Sequence, residues 1–144
     1  MKKRHQNIPA AYLVLIQNKK ILLLKRFNTG YEDGKYSMIA GHVEDRESFT
    51  KTIMREAYEE AGIELHRKNL KVVHVMHRKS LDSQRVDVFF TAKNWKGELK
   101  NKEPKKCNDL SWFDPDNVPE NTIPYIKQAI RFIQNKVYYS EYGW

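Results

Sequence analysis

Residues 41–63 read GHVEDRESFTKTIMREAYEEAGI. Gly41, Glu47, Arg55, Glu56, Glu59, Glu60 and Gly62 fall at the fixed places of the pattern G-x5-E-x7-R-E-U-x-E-E-x-G-U. The two U positions, which take aliphatic residues, hold Ala57 and Ile63. Ser48 is a good N-cap, and Gly62 suits the residue after a helix because glycine reaches the left-handed conformation at little cost. Between them the spacing predicts a helix of roughly four turns, built from good formers such as Lys51, Met54, Glu56, Ala57 and Ala61.

At about 100° per residue, Ile53, Ala57 and Ala61 with Met54 make one apolar stripe. Glu56, Glu59 and Glu60 sit at i, i+3 and i+4 and share the neighbouring stripe, with Glu60 and Phe49 at the border. These carboxylates therefore stand beside buried surface. Like charges so placed repel by roughly a few tenths of a kcal/mol in an isolated helix, and by more when part-buried. A cation offsets that repulsion. Hard oxygen ligands suit Mg²⁺ or Mn²⁺, and neither a thiolate nor a histidine pair is at hand to favour zinc. Arg55 is placed to orient a carboxylate, and Glu47, ahead of the helix, to fold back toward the site.

The 144 residues suit one domain, 1–144, with one core. There is no internal repeat or low-complexity tract. Cys107 is the single cysteine, which excludes an internal disulfide and fits a reducing, cytoplasmic compartment. The start, MKKRHQN before IPAAYLVLI, mimics a signal peptide, but no small-residue cleavage site follows and Gln17–Lys20 reads as a turn. No apolar run is long enough to span a bilayer, so no membrane partner is expected. The net charge is +8 although the 41–63 segment is itself acid-rich, so the remainder is strongly basic, and it either attracts nucleotides or RNA or is simply a solvated basic surface.

Ala11–Ile16 and Ile21–Arg26 read as strands paired across the Gln17–Lys20 turn. Asp33-Gly34 is a tight-turn pair. Tyr36–Ala40 is a short strand leading into the motif; Leu70–Lys79, Val86–Lys93 and Leu110–Phe113 read as further strands. Ile126, Ile130, Ile133 and Val137 recur at helical spacing and predict a helix near Pro124–Tyr138. Packed as layers, this order gives an α/β fold with a mixed sheet between two helices. The aromatic tail, residues 138–144, docks on its own domain or on a partner subunit of a homodimer. His74 and His77, three apart on a strand, point to opposite faces and do not share a metal.

The 41–63 segment resembles the signature of the Nudix hydrolases, which cleave a nucleoside diphosphate linked to some other group. The resemblance implies their α/β/α sandwich, and it extends more loosely over most of the chain. Trp95-Lys96-Gly97-Glu98 followed by Glu103 is similar to the W-x-G-E-x4-E stretch of MutT-type pyrophosphohydrolases, where the last glutamate lies on a mobile loop and completes the metal site or serves as base. Trp112-Phe113 and Val118-Pro119-Glu120-Asn121 resemble the MutT-type ending, in which an asparagine and nearby aromatics hold the base. The approach to the motif departs from that group: Ile39-Ala40-Gly41-His42 stands where Pro-Gly-Gly-Lys is common. Ala40 still offers a backbone carbonyl to the metal, but the guanine-oxidation specificity of MutT is not implied.

The resemblance implies Glu56, Glu59 and Glu60 as principal metal ligands with the Ala40 carbonyl and Glu103. Arg55 and Glu47 order them, and either Glu56 or Glu103 acts as general base. His42, in the motif loop, either touches a phosphate or is an ordinary loop histidine. Arg26, Lys25 and Arg78 end or follow strands, and one of them meets the phosphate tail. Tyr36, Phe89, Phe90 and Trp112 either stack on a base or fill the core. The leading expectation is hydrolysis of a nucleoside triphosphate to the monophosphate and pyrophosphate. Another diphosphate (a dinucleoside polyphosphate, a nucleotide sugar or a 5′-capped RNA) and a non-catalytic nucleotide or RNA sensor are the alternatives.

Overall fold

The computed structural model describes residues 2–144. The chain runs β1 (Ile8–Val14), β2 (Ile16–Gln17), β3 (Lys20–Arg26), β4 (Tyr36–Ser37), β5 (Ile39–His42), α1 (Phe49–Ala61), β6 (Leu70–Lys79), β7 (Gln84–Ala92), β8 (Cys107–Phe113), α2 (Pro124–Gln134) and β9 (Tyr139–Tyr142). The expected single mixed sheet is two sheets. One has five strands in the order β5-β1-β7-β6-β9, and the other sets β2, β4 and β8 around β3. Both lie between the two helices, each helix heading its own apolar cluster.

The chain changes sheets at two places where one strand was expected. The first apolar run does not pair along its length with the second. Only Ile16 and Gln17 meet Ile21 and Lys20, across a two-residue turn in which Asn18 and Lys19 both have positive φ. β1 itself lies parallel to β7 and antiparallel to β5. Likewise the stretch from Tyr36 divides: Ser37 pairs with Leu24 in the second sheet, and Ile39–His42 forms an edge of the first. Such crossings let alternate residues of β1 feed both cores. Ala11 and Leu13 pack toward α1, Tyr12 and Val14 toward α2.

α1 forms as its signals dictate. Lys51 N–H donates to the Ser48 hydroxyl, and Gly62 closes the helix at φ 70° with its N–H on the Tyr58 carbonyl. Thr52, Ile53, Ala57 and Ala61 are its buried residues. α2 ends at Gln134, not at Tyr138, because Lys136 turns left-handed and Tyr139–Tyr142 adds to β6 as a parallel strand. The aromatic tail thus docks on its own domain. His74, buried, donates from Nδ1 to the Val137 carbonyl and accepts the Ser140 hydroxyl at Nε2, both at 2.7 Å, and so fastens the tail. His77 instead meets Asn7 and the Trp144 ring, so the two histidines are engaged separately. Among the described residues no helix is long and apolar enough to cross a membrane.

Candidate active site

Arg55 organises the acid face of α1. Its Nε and Nη2 grip the two oxygens of Glu47 at 2.8 and 2.9 Å, a bidentate pair that fixes the guanidinium plane. Nη1 then reaches Glu56 at 2.6 Å and Glu59 at 3.4 Å, and Nη2 donates to the His42 carbonyl. The Arg55 hydrogen bonds hold the Glu47 carboxyl down to about 2. Glu56 and Glu60 shift the other way. Burial raises both, and beside Glu60 the charges of Glu56 and Glu103 raise it further.

Glu60 lies against the free edge of β5, where it accepts the Ala40 N–H at 3.1 Å. In a strand the N–H and C=O of one residue point the same way, so the Ala40 carbonyl leaves from that same edge. Gly41 follows, and a β-carbon there would fall within the Glu56 carboxylate. The leading glycine of the motif is therefore space left for a carboxylate. Among the described residues no three acidic, imidazole or thiol groups already converge in ligand geometry. Arg55 draws Glu56 and Glu59 toward itself, and Ala40 holds Glu60. Two adjoining carboxyls with raised proton affinity and a backbone edge beside them fit a hard divalent cation, while the Cys107 thiol, the soft donor in the neighbourhood, is turned to the Asp109 carbonyl.

Glu103 reaches this cluster through backbone bonds. A helix leaves its last carbonyls unpaired, and here the N–H groups of Lys102 and Lys100 cap Glu60 and Ala61 at 3.1 Å each. Lys96 and Glu64 exchange two further bonds, and Gly97, at φ 93°, is pressed on the Gly62 carbonyl. Asn101 accepts the Glu103 N–H, while the Glu103 carbonyl accepts from Lys106 and Cys107. The loop is tied down on both sides of Glu103.

On the α2 face of the first sheet, a cavity of about 400 Å³ opens onto Ala40 and Gly41. Tyr12, Tyr31 and Tyr125 supply its aromatic walls, and Arg26, Arg78, Arg85 and His42 its basic ones. Strand register brings them together: His42 is opposite Ala10, which is opposite Asp87, and Arg78 is opposite Arg85. Arg85 donates to His42 Nε2 at 3.0 Å, and burial with the Arg85 charge lowers the His42 proton affinity. Arg78 is buried, paired with Asp87 at 2.8 Å, with its guanidinium 3.7 Å from the Tyr125 ring centroid. Its charge is already balanced by Asp87.

The structure thus gathers Glu47, Arg55, Glu56, Glu59, Glu60 and Glu103 on one side of β5 and Arg26, His42 and Arg78 on the other, with Ala40, in β5 itself, meeting both. Asn121 stands apart. Its amide donates to the Gly34 carbonyl and pins the turn before β4. Lys25 does not line the cavity. Phe89 and Phe90 are core, Trp112 packs against the α1 cluster and Tyr36 donates to Asp109. Tyr12, Tyr31, Arg85 and Tyr125 escaped the sequence reading. They come from four segments, and only the alternation of β1 and β7 hinted at which side chains share a face.

A family model described as the NUDIX domain matches residues 6–135. Among curated proteins, the chain is similar to the NAD-capped RNA hydrolase NudC of Chromobacterium violaceum, at 30% identity over 131 residues, 91% of this chain and 47% of that protein. The NAD-capped RNA hydrolase NudC of Actinobacillus succinogenes is 32% identical over 80% of this chain and 45% of its own. The chain spans about half the length of these curated relatives. Among solved structures, the MutT NUDIX hydrolase from Burkholderia pseudomallei superposes with a TM-score of 0.80 at 25% identity, covering 88% of this chain and 98% of that one. The MutT protein from Methanosarcina mazei Go1 shares the fold, with a TM-score of 0.79 at 18% identity over 94% of this chain and 98% of its own.

Proposed function

The chain belongs to the NUDIX domain family, and on that premise we propose that it hydrolyses the anhydride of a nucleoside diphosphate linked to a further group, with Mg²⁺ or Mn²⁺ as cofactor. The observation that carries this reading is the meeting of two features at Ala40-Gly41. The tyrosine- and arginine-walled cavity opens there, and Glu60 and Glu56 lie against the same backbone. A nucleoside seated in the cavity directs its 5′ phosphates toward the carboxylates.

A bound divalent ion would supply charge for the phosphate oxygens and acidify an attacking water. Glu56, Glu59 and Glu60 with the Ala40 carbonyl would hold it. Arg55, braced by Glu47, sets the direction of the Glu56 carboxyl. Glu103, outside the Arg55 cluster and next to Glu60, takes the proton from water. Arg85 and Arg26 orient the phosphates, and Tyr31 and Tyr12 flank the base.

The leading substrate is a nucleoside triphosphate cut to monophosphate and pyrophosphate. The curated relatives favour a second, a dinucleotide-type 5′ end such as an NAD-capped RNA. A panel of nucleoside triphosphates, dinucleotides and capped RNA with Mg²⁺, read as pyrophosphate against paired monophosphates, separates the two. The Glu59→Gln/Glu60→Gln double variant should lose turnover by orders of magnitude while staying folded. Full activity in that variant would remove the metal assignment.

A further inference from the structure

The loop that delivers Glu103 also carries Lys100, Lys102, Lys105 and Lys106 within seven residues, all exposed. None of the four is in an ion pair among the described residues, whose few bridges centre on Arg55, Arg78, Lys35 and Arg46. These lysines are not a free-swinging tail. Lys100 and Lys102 have their backbones bonded to the end of α1, and the Lys106 N–H is bonded to the Glu103 carbonyl. The Lys106 carbonyl in turn accepts the N–H of Phe27, whose ring is 45% exposed. Phe27 directly follows Arg26, which lines the cavity. A bare aromatic ring and a row of unpaired cations are thus fixed to the same stretch as a proposed general base.

We propose that this surface is a track for a single-stranded polynucleotide, an RNA whose 5′ end carries the scissile diphosphate. The inference rests on the reading of the site as a diphosphate hydrolase. Lys100, Lys105 and Lys106 engage successive phosphodiester groups, and Phe27 stacks on one base as the strand leaves the reaction centre. Rings alternating with cations hold single strands with little sequence preference, because every base has a π-face and every link a charge. A mononucleotide has no phosphodiester link for these lysines to engage. The surface therefore separates polymeric from small substrates without altering the chemistry.

The test is binding of a 5′-monophosphorylated single-stranded RNA of mixed sequence, which has no anhydride to cut, followed by fluorescence anisotropy over a range of salt. The triple variant Lys100→Gln/Lys105→Gln/Lys106→Gln should weaken binding at least tenfold. Its log–log salt slope should fall by about 2, since each neutralised phosphate contributes roughly 0.7 for single strands. Phe27→Ala should weaken binding with the slope unchanged. Hydrolysis of small nucleotides should be the same in wild type and both variants. Equal affinity and equal salt slope in wild type and triple variant would overturn the track, even with active enzyme. RNA binding lost in the variants of a protein that hydrolyses nothing would uphold the track and sink the reaction instead.

Discussion

Gly41 passes so close to Glu56 that a β-carbon on the one would fall inside the carboxyl group of the other. Gly41 has no positive φ to justify a glycine, and the three atoms nearest a β-carbon there all belong to the Glu56 side chain. Gly41→Ala should therefore leave the sheet edge intact and push Glu56 off its place between Arg55 and Glu60. A displacement of about 1 Å at a reacting centre can cost on the order of 10²-fold in turnover. The expected result is a loss of that size in kcat with a melting curve close to wild type. Unchanged turnover would show that Glu56 does not work from this position.

Burial raises the proton affinity of Glu60, and the charges of Glu56 and Glu103 raise it further. Removing its charge relieves repulsion, so Glu60→Gln without metal should melt at or above the wild-type temperature. A ligand that binds only the folded chain stabilises it in proportion to RT ln(1 + [L]/Kd). Millimolar Mg²⁺ should accordingly raise the wild-type melting temperature and raise that of Glu60→Gln little. Equal rises, followed by differential scanning fluorimetry, would take Glu60 out of the ligand set.

Gly97 bears on how Glu103 is held. Its φ of 93° is one that side-chain-bearing residues rarely adopt, and a β-carbon would stand 2.9 Å from the Gly62 carbonyl oxygen. Gly97→Ala should cost roughly 1–3 kcal/mol in urea unfolding, the range for a residue forced into a sparsely populated backbone region. Because the loop caps the end of α1, kcat should fall as well. A stable variant with full activity would mean that the loop does not set the position of Glu103.

What the sequence made legible was whatever its signals encode locally. Ser48, Gly62 and the Ile53-Ala57-Ala61 stripe lie within one helix, and each does in the structure what its chemistry demands. The pairing of the first two apolar runs misled because adjacency in the chain suggests a hairpin. β1 instead takes its long partner from residues 85–91, a parallel match that no turn announces. The end of α2 misled for a related reason. Val137 fits the helical period, yet its carbonyl is needed by His74, sixty-three residues earlier. The cavity was the least legible part. Tyr12, Arg85 and Tyr125 have no common spacing, and register alone makes them neighbours.

Glu47 and Arg55 yield a prediction in acid. Glu47 has its proton affinity lowered from 4.5 to about 2, chiefly by the Arg55 hydrogen bonds and also by Thr52. A depressed carboxyl contributes stability that is full above its unfolded value and is lost as pH falls through the folded one. Stability should thus decline between pH 4.5 and about 2 with a component owed to this pair. Glu47→Gln keeps the shape and removes the charge, so its stability should sit below wild type at neutral pH and converge with it toward pH 2. Chemical unfolding across that range reads the difference. Two curves that stay parallel down to pH 2 would mean that the Glu47 charge does not stabilise the fold through Arg55. The same variant should lower kcat at neutral pH, because an unbraced Arg55 no longer fixes the direction of Glu56.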